Sequence, residues 1–182
     1  MLTAIALVAS AMFGAADQYL GSLLVHGWGR WTVEVSLLSA PWLVLPFVAG
    51  STQASSRRSM VFGLLCTFAA LAGYGLMTLS PVEGAHLSLA GARDFLRSDP
   101  PVFLGAALFG PIYGWLGYRW RRGGSFVAAL VPGATLALEP AARALAGWNV
   151  IETRTVWLGE VGIGIGFAIY CLARMRTPRR SF

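Results

Sequence analysis

The stretch Phe13-Gly14-Ala15-Ala16-Asp17-Gln18-Tyr19-Leu20-Gly21-Ser22 decides how the rest of the chain is read. It closes a long apolar segment, Thr3–Val25, yet sets a carboxylate, an amide and a phenol side by side. An acidic group at membrane depth costs about 2.5–3.5 kcal/mol on insertion scales, so its presence marks a candidate functional site. The glycines and alanines beside it let a neighbouring helix come close. The other segments are therefore read for what they bring to Asp17.

The composition frames that reading. Of 182 residues, 56% are hydrophobic and 12% charged, the balance of a polytopic membrane protein. A spanning helix needs about 20 mostly apolar residues. Six segments qualify: Thr3–Val25, Thr32–Gly50, Met60–Leu79, Val102–Tyr118, Phe126–Ala146 and Thr155–Ala173. The expected fold is all-α, a single integral-membrane domain over residues 1–182, a bundle of six transmembrane helices with an outer amphipathic helix. The first segment has no basic region before it and is too long for a signal peptide, so it is expected to be a retained helix.

All 14 basic residues are arginine. Arg57 and Arg58 follow the second segment, Arg119, Arg121 and Arg122 the fourth, and Arg174, Arg176, Arg179 and Arg180 the sixth. The positive-inside rule places these in the cytoplasm, with both termini, in a bacterial inner membrane. Arg30, Arg93, Arg97 and Arg154 fall outside. The net charge of +6 is thus a topological signal and calls for no nucleic-acid partner. Without lysine there is no Schiff base. Two histidines and the two apolar-segment cysteines, Cys66 and Cys171, make no zinc or haem site, so no metal and no cofactor are expected.

The linker Pro81–Pro101 mixes Leu87, Leu89, Phe95 and Leu96 with Arg93, Asp94 and Arg97, the pattern of a short amphipathic helix on the outer surface. It is either a strap at the interface or a lid. Prolines interrupt the second segment (Pro41, Pro46), the fourth (Pro111) and the fifth (Pro132, Pro140), where broken helices line cavities or pack on protein. Glycines mark close packing: Gly105, Gly110, Gly114 and Gly117 in the fourth segment, and Gly159, Gly162, Gly164 and Gly166 in the sixth. Gly110 and Gly114 form a GxxxG pair suited to a contact within the chain or to a homo-oligomer.

Four carboxylates fall within the segments. At 1.5 Å per residue, Asp17 lies roughly 5 Å outward of its segment's centre, Glu34 roughly 10 Å, Glu160 roughly 6 Å, and Glu139 about at the centre. Such groups are expected to face the bundle interior, and converging carboxylates cannot all be ionised, so one keeps a proton and is a potential general acid. Each has a plainer reading. Arg143, one turn after Glu139, makes an i,i+4 ion pair. Glu34 and Glu160 stand near helix starts, where the dipole favours an acid. Asp17 has no such excuse, which makes it the first choice for the acid, with Glu139 and Glu160 as its neighbours and Glu34 carrying protons from water. Around this level lie Phe13, Gln18, Tyr19, Trp42, Tyr74 and Phe109, candidates with Arg143 to bind a substrate. Trp28, Trp31 and Trp148 fit the interfacial aromatic belt. Acids beside aromatic faces suit a cation, whether bound or formed in a reaction.

Walker loops, GxGxxG, GxSxG, HExxH and the aspartate-rich DDxxD and DxDD signatures are absent. The pattern of Asp17, Glu34, Glu139 and Glu160 in aromatic surroundings resembles the small integral-membrane, meroterpenoid-type terpene cyclases, and the arginine-only, Ala/Gly-rich composition is similar to actinobacterial proteins. The resemblance implies a protonation-initiated isomerase or lyase. A membrane-embedded carboxylic acid would protonate an alkene or epoxide of a prenylated substrate, and aromatic faces would stabilise the cations. The partners are then membrane lipid and that hydrophobic small molecule. The alternative reading is a substrate-capture protein, similar in size to the capture subunits of energy-coupling-factor transporters, holding a small, cationic molecule in an outward pocket.

Overall fold

The computed structural model describes residues 2–147 and 153–176. Trp148, Glu152, Arg179 and Arg180 lie outside the described residues. Eight α-helices follow one another: α1 (Leu2–Ser22), α2 (Trp31–Ser36), α3 (Ala40–Ser51), α4 (Ser56–Thr78), α5 (Leu89–Ser98), α6 (Pro100–Gly123), α7 (Phe126–Ala146) and α8 (Arg154–Arg176), with no strand among the described residues. Three of them are long and apolar enough to cross a membrane: Thr3–Ser22, Ser56–Thr78 and Arg154–Met175. Helices α6 and α7 have the length, 24 and 21 residues, but not the apolarity. Pro100, Pro101 and Tyr118–Arg122 dilute α6. Pro132, Glu139, Pro140 and Arg143 dilute α7.

The second expected span, Thr32–Gly50, is not one helix. It breaks at 37–39 into the six-residue α2 and the twelve-residue α3. Pro41 stands in the first turn of α3, where its missing N–H goes unneeded. Pro111, Pro132 and Pro140 sit inside helices that run on without a break. Proline alone therefore does not break these helices.

Helix α4 is the hub. It runs parallel to α1, with Ala6 and Leu7 against the cluster of Phe62 and Cys66. Backbones nearly touch there: a Cβ on Gly14 would stand 1.9 Å from the Ala70 oxygen, and one on Gly73 1.9 Å from the Ala11 oxygen. Helix α6 runs antiparallel to α4. A Cβ on Gly63 would meet the Gly110 oxygen at 2.3 Å, one on Gly114 the Ser59 oxygen at 2.3 Å, and Thr67 Oγ1 lies 3.3 Å from the Ala106 oxygen. The GxxxG pair is thus used within the chain. Helices α7 and α8 form a second antiparallel pair at Gly133 and Gly164. Gly105, Gly159, Gly162 and Gly166 have open space where a side chain would go, so the expectation of close packing holds in α8 only at Gly164. Phe47, Leu116, Trp120, Ala129 and Cys171 form the core between the two pairs, with Trp120 Nε1 donating to the Cys171 carbonyl at 2.9 Å.

A measurable asymmetry follows. Gly114→Leu forces a side chain into the backbone of α4, an overpacking that costs about 1–3 kcal/mol or more, whereas Gly105→Leu meets nothing. The melting temperature of Gly114→Leu in detergent should fall and that of Gly105→Leu should not. Equal values for the two would refute this packing.

The packing sorts the charges. The start of α4 and the ends of α3, α6 and α8 share one end of the bundle, which gathers Arg57, Arg58, Arg119, Arg121, Arg122 and Arg174. A cavity of about 380 Å³ opens there, lined by Ser51, Thr52, Arg121 and Arg122. Helix α5 and the acids of the sequence reading lie toward the other end.

Candidate functional site

Asp17 is buried, 7% exposed, on the face of α1 that meets α3 and α4. The close approach at Gly14 draws α1 in, and Asp17 follows one turn after Phe13, whose ring meets Trp42 of α3. Trp42 begins a row of rings drawn from five helices. Phe13 meets it edge-on at 5.6 Å, Tyr74 lies tilted to it at 6.0 Å, Phe95 of α5 stacks on Tyr74 at 6.3 Å, and Phe103 of α6 meets Phe95 at 5.7 Å. The Tyr74 phenol is within electrostatic range of Asp17, Glu83 and Asp99. Helix α5 thus sets its aromatic side chain on the row. Its N-cap Ser88 accepts from the Gly91 amide at 3.0 Å, and a Cβ on Gly75 would stand 2.6 Å from the Phe95 ring. Without a side chain at 75, the ring comes down onto α4.

Phe95 and Phe103 escaped the sequence reading as site residues. Their signal was weak: one aromatic on the apolar side of an amphipathic helix, and a glycine on α4 to receive it. Three of the expected binding residues stand elsewhere. Tyr19 is 40% exposed and Phe109 43% exposed, both on outward helix faces. Gln18 is half-buried, one position round α1 from Asp17. Trp28, Trp31 and Trp157 are also exposed, as belt residues would be.

The other three acids form a second centre, at the break between α2 and α3. A break in a helix strips peptide groups of their partners, and in apolar surroundings each needs another. Glu139 and Arg143 of α7 supply them. Glu139 Oε1 accepts from the Ser39 amide at 2.7 Å and Oε2 from the Ala40 amide, capping the start of α3. Arg143 donates to the Leu37 carbonyl, closing α2, and to Ser39 Oγ at 2.9 Å. The two side chains also pair with each other, Arg143 Nε to Glu139 Oε1, at 2.7 Å. Glu34 of α2 accepts from the Thr153 amide at 2.9 Å and so caps α8. Glu160 of α8, 4% exposed, lies against Glu139 and Arg143. The expectation that Glu139 and Glu160 would be the neighbours of Asp17 is not what the contacts give. Glu139 pairs with Arg143, Glu160 lies beside that pair, and Asp17 stands near the aromatic row.

Among the described residues no group of His, Cys, Asp and Glu is arranged to hold a metal ion. Neither a protein-family model, nor a curated protein, nor a solved structure matches the chain.

Proposed function

We propose that this protein is an integral-membrane terpene or meroterpenoid cyclase that starts cyclisation of a prenyl chain by proton transfer from Asp17. The observation that supports this is the pairing of a buried carboxyl with a row of aromatic faces, Phe13, Trp42, Tyr74 and Phe95. Asp17 in its acid form gives a proton to a terminal alkene or epoxide. Carbon–carbon bonds form as the cation moves along the chain, the ring faces stabilise it, and a proton leaves at the end. From an alkene the product is an isomer of the substrate, with no change in mass. The face of Trp42, between Phe13 and Tyr74, walls the cation.

A second reading has its own support. Helix α5 sets Phe95 on the aromatic row, between Tyr74 and Phe103, which supports a lid over a pocket. On that reading the protein captures a small cationic molecule, with Asp17 as counter-ion and the rings as a cage.

Both readings place the chain across the bacterial inner membrane six times, with α2 and α3 together making one broken crossing, both termini cytoplasmic and α5 outside. The gathering of arginines at one end supports this orientation. Cysteine labelling checks it. A cysteine at Ser88, exposed at the start of α5, should react with an impermeant maleimide added to intact cells. One at Ser56 should react only after the cells are opened. The reverse pattern would invert the orientation. The native Cys66 and Cys171 are buried and add little background.

The functional test is conversion. Membranes containing the protein are incubated with farnesylated or geranylgeranylated indole, and the extract is examined by mass spectrometry and NMR. A ring-closed isomer supports the cyclase. An unchanged substrate, with a small molecule co-purifying with the protein, supports capture instead.

A further inference from the structure

The centre at the helix break holds one carboxyl too many. Glu139 and Arg143 balance each other in charge and between them satisfy the Ser39 and Ala40 amides and the Leu37 carbonyl. Glu160 then arrives from α8. Both of its oxygens are sealed from water, and among the described residues no donor reaches either of them. The charged groups facing it are the Glu139 carboxylate and the Arg143 guanidinium of α7, while Glu34 of α2 stands on the Thr153 amide at the start of α8. An ionised Glu160 would be a buried anion beside another anion, with the nearby cation already engaged, and such an arrangement is strongly disfavoured. Two carboxyl groups side by side can form a hydrogen bond only if one of them carries a proton.

We infer that Glu160 and Glu139 form a proton-binding site, separate from Asp17, in which the Glu160 O–H donates to the Glu139 carboxylate and one exchangeable proton is held at the break between α2 and α3. The ligand of this site is the proton itself. Its departure is a simple dissociation: Glu160 becomes a carboxylate, and the proton passes to water. The new anion then competes for Arg143. As Arg143 turns to it, the hydrogen bonds to the Leu37 carbonyl and Ser39 Oγ break, and a guanidinium–carboxylate bond to Glu160 forms. The break in the helix thereby loses its clamp. Loading and release of one proton thus close and open the α2–α3 junction, the kind of discontinuous element around which membrane proteins couple ion binding to movement.

Infrared spectroscopy of the full chain in lipid vesicles tests this directly. At neutral pH the wild type should show the carbonyl stretch of a buried carboxylic acid that is absent from Glu160→Gln and retained in Asp17→Asn. On raising the pH that band should bleach. Hydrogen exchange at the 38–40 amides should then rise more in the wild type than in Glu160→Gln, whose neutral side chain cannot draw Arg143 away. Three results would each overturn the inference: no band lost on Glu160→Gln, exchange that rises equally in both proteins, or a Glu160→Gln protein that fails to fold. The last counts because glutamine has the shape and neutrality of the protonated acid.

Discussion

Asp17→Asn should abolish conversion of a prenylated substrate while leaving the protein folded. The amide keeps the size and shape of the carboxyl. It cannot give up a proton to a carbon. A general acid contributes a factor of about 10²–10⁴ to a rate, and here protonation begins the reaction, so the loss should reach at least the upper part of that range. The melting temperature of the variant should stay close to that of the wild type. Substrate should still bind, since the rings of Phe13, Trp42 and Tyr74 are untouched. Product formed at the wild-type rate would remove Asp17 from the chemistry. On the capture reading the same variant loses affinity for a cationic ligand, and there is no turnover to lose. Binding measured beside conversion therefore separates the two functions in one protein pair.

Arg143→Met should be the most damaging single change to the fold. Breaking a buried ion pair by removing one partner costs about 3–5 kcal/mol, because the other charge is left behind. Here Glu139 is that charge, and the Leu37 carbonyl and Ser39 Oγ lose a donor as well. For a chain of this size a loss of 1 kcal/mol shifts the melting temperature by about 2–4 °C, so a fall of roughly 6–20 °C is expected in detergent. Arg143→Lys should recover part of it, since an ammonium keeps the charge but lacks the planar fork that spans Glu139 and the Leu37 carbonyl at once. A methionine variant that melts with the wild type would show that the break is held by something other than this clamp.

The helical fold was legible because apolar length is read directly, and α7 matches its expected bounds, Phe126–Ala146. The break at 37–39 was less so. Pro41 and Ser39 are start signals for a helix, yet within a continuous apolar segment they read as a kink, and the partners that make a full break tolerable lie a hundred positions away. The burial of Asp17 was legible because nothing local explained a carboxylate in an apolar segment. Glu34 and Glu160 were ambiguous for the reason foreseen, their place near helix starts. Glu34 proves to cap a helix, but it is α8 and not its own. Phe95 was hidden because its role depends on a bare patch at Gly75, and the sequence does not say which glycine faces which ring. The glycines of α8 misled in the other direction: three of the four, equivalent by composition to Gly164, meet no neighbour.

The clamp at the break also bears on how the chain is made. Ser39 and Ala40 wait for a partner that lies 100 and 99 residues further along, and Glu34 for one 119 residues away. A nascent chain that has made α2 and α3 has not finished them. Their peptide groups are left to water or to chance until α7 emerges, and the acid on α2 until the start of α8 follows. The α2–α3 junction is therefore the last to be completed although it is among the first to be synthesised. The final third of the chain completes the first as well as adding to it.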